Sequence, residues 1–493
     1  MRKIILTKYK LYPVIGAMIL LSGCKKDFLD LKPYDAAVVS DAIKNEADMN
    51  TAVNGMYSSL RATDFYGRTL AIKGDLMADN AFQSSQNSGR YIQFNLYTIT
   101  LTDGYASGIW LNAYRTIKNA NLIINSELAA SNDNISQLLS EAYAIRGMVY
   151  FDLCRNFAKP YTDNPDGPGV PIVLTFDQTA KPSRSTIKQV YTQAISDLNK
   201  AYTLAKFNQG QVMTFISTGQ TRTVNSSFVS KYVIKGLLAK IYQHMGDWTN
   251  ARDAALDVVN NGGYSLIAST GLVAYWKGAS PRTDKVETMF EVTSDANNSV
   301  GDGTLANIYV PKNLGGSYGD ILATKTFYDS YTSTDVRKQL YNPTTRPGQL
   351  GTAYYITKYP IDPNVDDVKI TRYAEVLLIL AEAYYNLNDP VKALLYLNKV
   401  AQQRDPAFTG YISAGAQILE DILNERAKEL AFEGYRFWDL YRLKRTFTKP
   451  QAQDGSSNIF QTIIVTPSTL NMIFPIPNDE RLVNPNVEQN PGY

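Results

Sequence analysis

Glu425, Glu429 and Glu433 recur four residues apart, so a helix through them would carry three carboxylates on one face, with Arg426 and Arg436 close by. Two carboxylates flanking a sugar linkage are the machinery of glycoside hydrolysis. The same spacing beside arginine also makes a salt-bridged helix that locks onto a neighbour, and the adjacent bases favour that reading. Glu375 and Glu382 share one apolar helix that begins near Arg372, where ion pairing is again expected. Other catalytic sets are poorly supplied. His244 is the only histidine, whereas zinc sites and serine or cysteine triads rest on that residue. On its apolar helix it reads as a packing residue. Neither a P-loop nor a dinucleotide fingerprint occurs. The stretch "SDANNSVGDG" (294–303) is polar enough for a calcium loop, but Val300 stands where an EF-hand requires glycine and no closing glutamate follows. It reads as a loop. No cofactor is expected, with bound calcium the one ion left open.

Aromatic residues in loop-rich sequence are the more promising group. A sugar stacks its C–H face on an aromatic ring while flanking polar groups bond its hydroxyls, and the chain holds 34 tyrosines. "SGRYIQFNLY" offers Arg90, Tyr91 and Phe94; Trp276, Tyr309 and Tyr318 lie in a second loop-rich region. Any one of them alone is more often a packing residue. Together they form the candidate ligand-binding set.

Cys24 and Cys154 are the only cysteines. Cys154 sits in "VYFDLCRNF", which reads as buried helix, so no disulfide to the terminus is expected. Cys24 follows a basic segment "MRKIILTKYK", a short apolar run "LYPVIGAMILL" and the small residues of "SGC". This is the three-part layout of an export signal over residues 1–23, with an apolar run too short for a comfortable membrane-spanning helix. Leu21-Ser22-Gly23-Cys24 resembles a bacterial lipobox, which implies cleavage before Cys24 and acylation of that residue. Two or more acyl chains hold a protein firmly on a membrane where one does not. An ordinary secretory signal with an incidental cysteine is the alternative. Four of the 49 bases precede Cys24 and none of the 46 acids does, so removing that segment takes the formal charge from +3 to −1. Charge therefore gives no argument for nucleic acid as a partner.

The elements that must position these residues are mainly helical. Between 186 and 206, Ile187, Val190, Tyr191, Ala194, Ile195, Leu198, Ala201 and Tyr202 share one face, and Thr186 with Gln189 forms a capping-box pattern. Residues 110–125, 138–153 and 417–444 read as helices, the last broken near Gly434. Two stretches look like copies of one hairpin: Ala239, Tyr242 and Ala251 repeat the spacing of Ala381, Tyr384 and Ala393. Gly246-Asp247 and Asp389-Pro390 supply the turns and caps. This resembles the tetratricopeptide repeat, with Gly147 and Tyr150 marking a degenerate third copy interrupted by "KPYTDNPDGPGVP". Residues 64–108 and 263–365 are rich in Gly, Ser, Thr, Asn, Asp and Tyr and read as inserted loops, with "ETMFEVTS" (287–294) a short strand. The fold class is thus mainly α: a tetratricopeptide-like helical-hairpin scaffold with loop-rich insertions and a few short strands.

Several stretches together resemble the SusD/RagB family of Bacteroidetes outer-membrane lipoproteins. They are "CKKDFLDLKP" after the lipobox, "ETMFEV", "RYAEVLLILAEAYY" (372–385), "NERAKELAFEGYRFWDLYRLK" (424–444) and the closing "FPIPNDERLVNPNVEQNPGY" (474–493). The resemblance spans essentially the whole chain after the signal. It implies four tetratricopeptide-like units with a loop-built ligand face, divided into a region over 24–230 and a C-terminal region over 231–493. It implies no catalysis. The implied role is that of a lid over a SusC-like, TonB-dependent outer-membrane transporter, capturing oligosaccharides or, in some members, peptides. Its location would be the outer membrane, held by the lipid anchor and facing outward. The family's ligand residues carry over to no fixed positions here. Asp75, Asp79 and Asn80 look typical of the family, as loop-folding or ligand-binding residues. A protein-interaction scaffold is the second functional class, and a glycosidase the third.

Overall fold

The computed structural model describes residues 43–128, 130–175, 177, 179–216, 218–278, 286–294, 297, 299–347, 351–361, 365–450 and 462–493. The export-like segment and Cys24 lie outside the described residues. Helices of seven or more residues are α1 (Glu46–Leu60), α2 (Thr69–Leu76), α3 (Gly104–Ile124), α4 (Asp133–Phe157), α5 (Ile187–Leu204), α6 (Lys231–Met245), α7 (Trp248–Asn261), α8 (Ser269–Lys277), α9 (Tyr373–Asn386), α10 (Pro390–Arg404), α11 (Gln417–Glu429) and α12 (Arg436–Arg442). Among the described residues, none of the helices is long and apolar enough to cross a membrane.

The matched spacing makes matched hairpins. Helices α6 and α7 pack as one pair, α9 and α10 as another, and α7 lies against α9. Ala239, Ala251, Ala381 and Ala393 are fully buried, because a methyl group lets the paired backbones approach. Gly246 ends α6 at φ 73° and Asp247 accepts from the Asn250 N–H at 3.2 Å. In the second hairpin Asn388 takes the left-handed turn position at φ 59°, and Asp389 caps α10 ahead of Pro390. The third copy is α4 with α5. A Cβ on Gly147 would lie 2.8 Å from the Ala194 carbonyl oxygen, so glycine permits that helix contact. The fully buried Tyr150 bonds the Val173 backbone through its hydroxyl at 2.7 Å, pinning the interrupting loop. The capping box of Thr186 and Gln189 forms as read. Contacts run serially through α1, α3, α4, α5, α6, α7, α9, α10 and α11, the one-dimensional stacking of a repeat scaffold.

The 417–444 stretch breaks where glycine signals it. Phe432 and Gly434 take φ 63° and 86° between α11 and α12. Glu433 therefore leaves the helical face it was expected to share with Glu425 and Glu429, yet it still meets Glu429 at Arg372.

Short strands tie the insertions down. β1 (Ala81–Gln83), β5 (Ile321–Ala323), β7 (Thr352–Ile356) and β6 (Tyr341–Thr345) form one sheet in that spatial order. β2 (Val212–Thr214) pairs β3 (Thr221–Thr223), β4 (Thr288–Val292) pairs β8 (Val368–Arg372), and β9 (Phe447–Lys449) pairs β10 (Ile463–Val465), all antiparallel. Antiparallel β1 and β5, in register Ala81↔Ala323 and Gln83↔Ile321, join the two loop-rich regions.

Candidate functional site

Because β1 pairs with β5, the chain leaving β1 runs beside the chain entering β5. Asp320, wholly buried, fastens the two: its carboxylate accepts from the backbone N–H of Ser88 at 2.8 Å and from the Ser88 hydroxyl, and its carbonyl accepts from the Ser84 N–H at 2.8 Å. Burial raises its pKa, opposed by the Ser88 bonds. Arg346 closes the other side, donating to the carbonyls of Gln86 (2.6 Å), Tyr318 (3.1 Å) and Gly319 (3.2 Å). Gly319 needs to be glycine, since it sits at φ 62° with Pro311 2.8 Å from where a Cβ would stand.

On this frame the Arg90 guanidinium lies over the Tyr318 ring, 4.0 Å from its centroid. Arg90 also donates to the Tyr318 hydroxyl at 3.3 Å and to the Ser88 hydroxyl at 2.8 Å. Both side chains are partly open to solvent, and Gln86, Ser88 and Gly89 beside them are exposed. The arrangement offers a fixed planar cation on a tyrosine, flanked by hydroxyl and amide groups. Such a surface can hydrogen-bond and stack on a polyhydroxylated ligand.

The other four candidates are corrected by the structure, since they lie in the core. Tyr91 is sealed against Tyr105, with ring centroids 4.4 Å apart, and its hydroxyl accepts from Arg68 at 2.6 Å. Phe94 packs among Tyr91, Tyr105 and Phe474. Trp276 lies under the ammonium groups of Lys358 (3.8 Å) and Lys369 (4.3 Å). Tyr309 packs against Tyr359 and Phe432 and is fully buried. Loop-like composition marked these rings as accessible, but the loops fold back onto the helices and use them as core. Asp320 and Arg346, which shape the surface, carried no local signal in the sequence, since their partners lie far away along the chain.

The carboxylates suspected of chemistry are all paired. Arg372 bonds Glu287 (2.6 Å), Glu429 (2.9 Å) and Glu433 (2.7 Å); Arg404 bonds Glu287 (2.7 Å) and Glu429 (3.1 Å); Arg337 bonds Asp335 (2.7 Å), Glu425 (2.6 Å) and Glu429 (3.1 Å). Lys358 meets Glu433 at 2.7 Å and Lys428 meets Glu425 at 3.0 Å. Five cations thus face five anions. Burial pushes Glu429 up, but Arg404, Arg372 and Arg337 outweigh it and hold the carboxyl well below the usual range. Glu425 and Glu433 are lowered by the same contest. A carboxyl held ionised in this way cannot donate a proton at neutral pH. Glu375 pairs with Lys240 at 3.1 Å and Glu382 with Arg442 at 2.6 Å.

His244 and Cys154 are packing residues as read. Burial drives the imidazole well below its ordinary pKa, and it sits edge-on to Phe151. Burial raises the Cys154 thiol to about 12. Asp75 and Asp79 fold the chain: Asp75 accepts from Gly434 N–H (2.6 Å), Phe432 N–H (3.2 Å) and Asn80 (2.8 Å), while Asp79 holds Arg436 through two 2.7 Å bonds. Among the described residues, no three His, Cys, Asp or Glu side chains gather as a metal site. Part of the 294–303 stretch lies outside the described residues.

Comparison with known proteins places this fold. A family model described as SusD family matches residues 352–493, and one described as starch-binding associating with outer membrane matches 27–220. The chain is 26% identical to SusD-like protein P2 of Formosa agariphila, over 99% of this chain and 100% of that one. It is 22% identical to a SusD-like protein of Bacteroides ovatus, over 88% of this chain and 82% of that one. A solved SusD superfamily protein from Bacteroides thetaiotaomicron overlays with a TM-score of 0.79 at 26% identity, covering 91% of this chain and 100% of that one. A Bacteroides vulgatus protein provisionally described as sugar binding overlays at 0.78 and 27% identity, covering 92% and 99%. The overlays on these two solved structures run over about nine-tenths of the chain. The chain belongs to the SusD-like family.

Proposed function

We infer that this protein captures glycans at the Arg90–Tyr318 surface and passes them to a SusC-like, TonB-dependent transporter in the outer membrane, without breaking bonds. Cys24, acylated after removal of residues 1–23, would hold it to that membrane on the outer side. The observation that carries the reading is the solvent-open guanidinium over Tyr318, built by two insertions of a SusD-like scaffold. A family description that joins starch binding to the outer membrane supports both the ligand class and the location.

Glycan-array screening of the soluble chain from residue 25 tests the ligand. Binding to oligosaccharides with no products released supports the reading; retention of peptides alone would replace it with peptide uptake. Mass spectrometry of the mature N-terminus tests the anchor: acylated Cys24 in the wild type, and release from the membrane in Cys24→Ser.

A further inference from the structure

A second opening lies at the far end of the β1–β5 pair. Asp79 precedes β1, Thr324 follows β5, and both line a cavity of about 390 Å³. That volume falls in the range of small-ligand clefts, roughly 300–1,000 Å³. The groove beside Tyr57 and Phe228, at about 180 Å³, falls below it.

The wall chemistry is specific. Asp79 and Arg436 form one side as a two-bond pair, with side chains 29% and 14% exposed, so the pair is partly open to the cavity. Phe327 and Tyr411 bring half-buried aromatic surface. The Lys428 ammonium rests on Glu425 at 3.0 Å and nears the Tyr411 hydroxyl at 3.5 Å. Asn424 is exposed on α11, and its amide bonds no other described residue. Arg436 is matched by Asp79, and Lys428 shares the buried Glu425 with Arg337 inside the network of five cations and five anions, so neither cation is left unpaired to attract phosphate or carboxylate. What remains is donors and acceptors interleaved with aromatic rings. A neutral hydroxylated ring presents that same alternation of O–H groups and C–H faces.

We propose that this cavity is a second saccharide subsite, separate from the Arg90–Tyr318 surface and taking one neutral sugar unit of a glycan, with Asn424 as its free hydrogen-bonding group. The proposal rests on the glycan-binding reading.

The test is isothermal titration of the full soluble chain with the best ligand from the array, starting from maltoheptaose, laminariheptaose and xylohexaose. Two cavity variants are used, Asn424→Ala and the space-filling Ser330→Trp, both at exposed positions, with circular dichroism confirming that each folds. Two sites are expected in the wild type. Asn424→Ala should weaken one by about tenfold, the scale of one hydrogen bond. Ser330→Trp should abolish that site while leaving the other, which Arg90→Ala should weaken. A single site, lost in Arg90→Ala and unchanged in both cavity variants, would overturn the subsite and leave the glycan reading standing. No binding to any glycan on the array would overturn both.

Discussion

The guanidiniums of Arg90 and Arg372 each lie against an aromatic ring, with different consequences. Around Arg372 every partner is buried: Arg337, Arg372 and Arg404 interlock with Glu287, Glu425, Glu429 and Glu433, and Trp276 lies 5.1 Å from the Arg372 guanidinium carbon. Around Arg90 the partners are a tyrosine ring and a serine hydroxyl at the solvent edge. Water access separates them. A buried guanidinium must have all its neighbours in place, because an uncompensated charge in a low-dielectric interior is costly. A guanidinium at the surface can exchange water for a ligand hydroxyl at little net cost. The network clamps β4, β8, α10 and α11 together. The surface pair leaves the fold as it is and offers a contact.

The sharpest way to break this comparison is Arg372→Ala. Losing one buried partner costs about 3–5 kcal/mol, and Arg372 spans three carboxylates, so loss of soluble folded protein is expected. A urea midpoint near wild type would show that the network does not clamp the fold. Trp276→Ala is expected to cost roughly 3–5 kcal/mol through the cavity it leaves, read by the same denaturation. If it instead lowered glycan affinity at unchanged stability, Trp276 would belong with the ligand surface.

Acid titration sharpens the contrast further. Glu425, Glu429, Glu433 and Asp439 sit below their ordinary values in the folded chain, since the guanidiniums outweigh burial. Their stabilisation is complete above the unfolded pKa values near 3.8 and 4.5 and disappears as pH falls through the folded ones. Asp75 and Asp366, raised to about 6 by burial, act the other way: their contribution is full below 3.8 and lost as pH rises through 6. From pH 7 to about 5 this gain is opposed by the buried His244, whose imidazole protonates more readily in the unfolded chain, so the urea midpoint should change little there and fall below about 4. A midpoint that stayed level down to about pH 2 would contradict the ionised network.

The smallest stability effect is expected at the surface. Arg90→Ala and Tyr318→Ala should each change stability by less than about 1 kcal/mol, the scale of an exposed cation–π pair. Both should nonetheless weaken glycan binding, measured by titration calorimetry. A large loss of stability in either would move the pair into the structural class.

Local pattern was a dependable guide where the physics is local. The Ala–Tyr–Ala spacing of two hairpins, the Asp247 and Asp389 caps, the Thr186–Gln189 box and the break at Gly434 each depend on residues within a turn or two, and each formed. The paired reading of Glu425 and Glu429 was legible from adjacent bases, although the real partners, Arg337, Arg372 and Arg404, came from elsewhere in the chain. The ligand surface was only partly legible. Of six candidates, Arg90 and Tyr318 meet at the surface, while Tyr91, Phe94, Trp276 and Tyr309 are core. Glycine, serine and asparagine mark a segment as irregular, but irregular backbone can lie on the surface or fold inward.

What the sequence determined by itself was the repeating helical scaffold and its family, because helix periodicity, small-residue contacts and caps act over a few residues at a time. Only the tertiary structure decided which aromatic rings see water and which charges are sealed. The open Arg90–Tyr318 surface depends on the pairing of Ala81–Gln83 with Ile321–Ala323, and the sealed charges on Glu287, Arg372, Arg404 and Glu429 meeting from four separate parts of the chain. Burial is a property of the packed whole, and no short window of residues contains it.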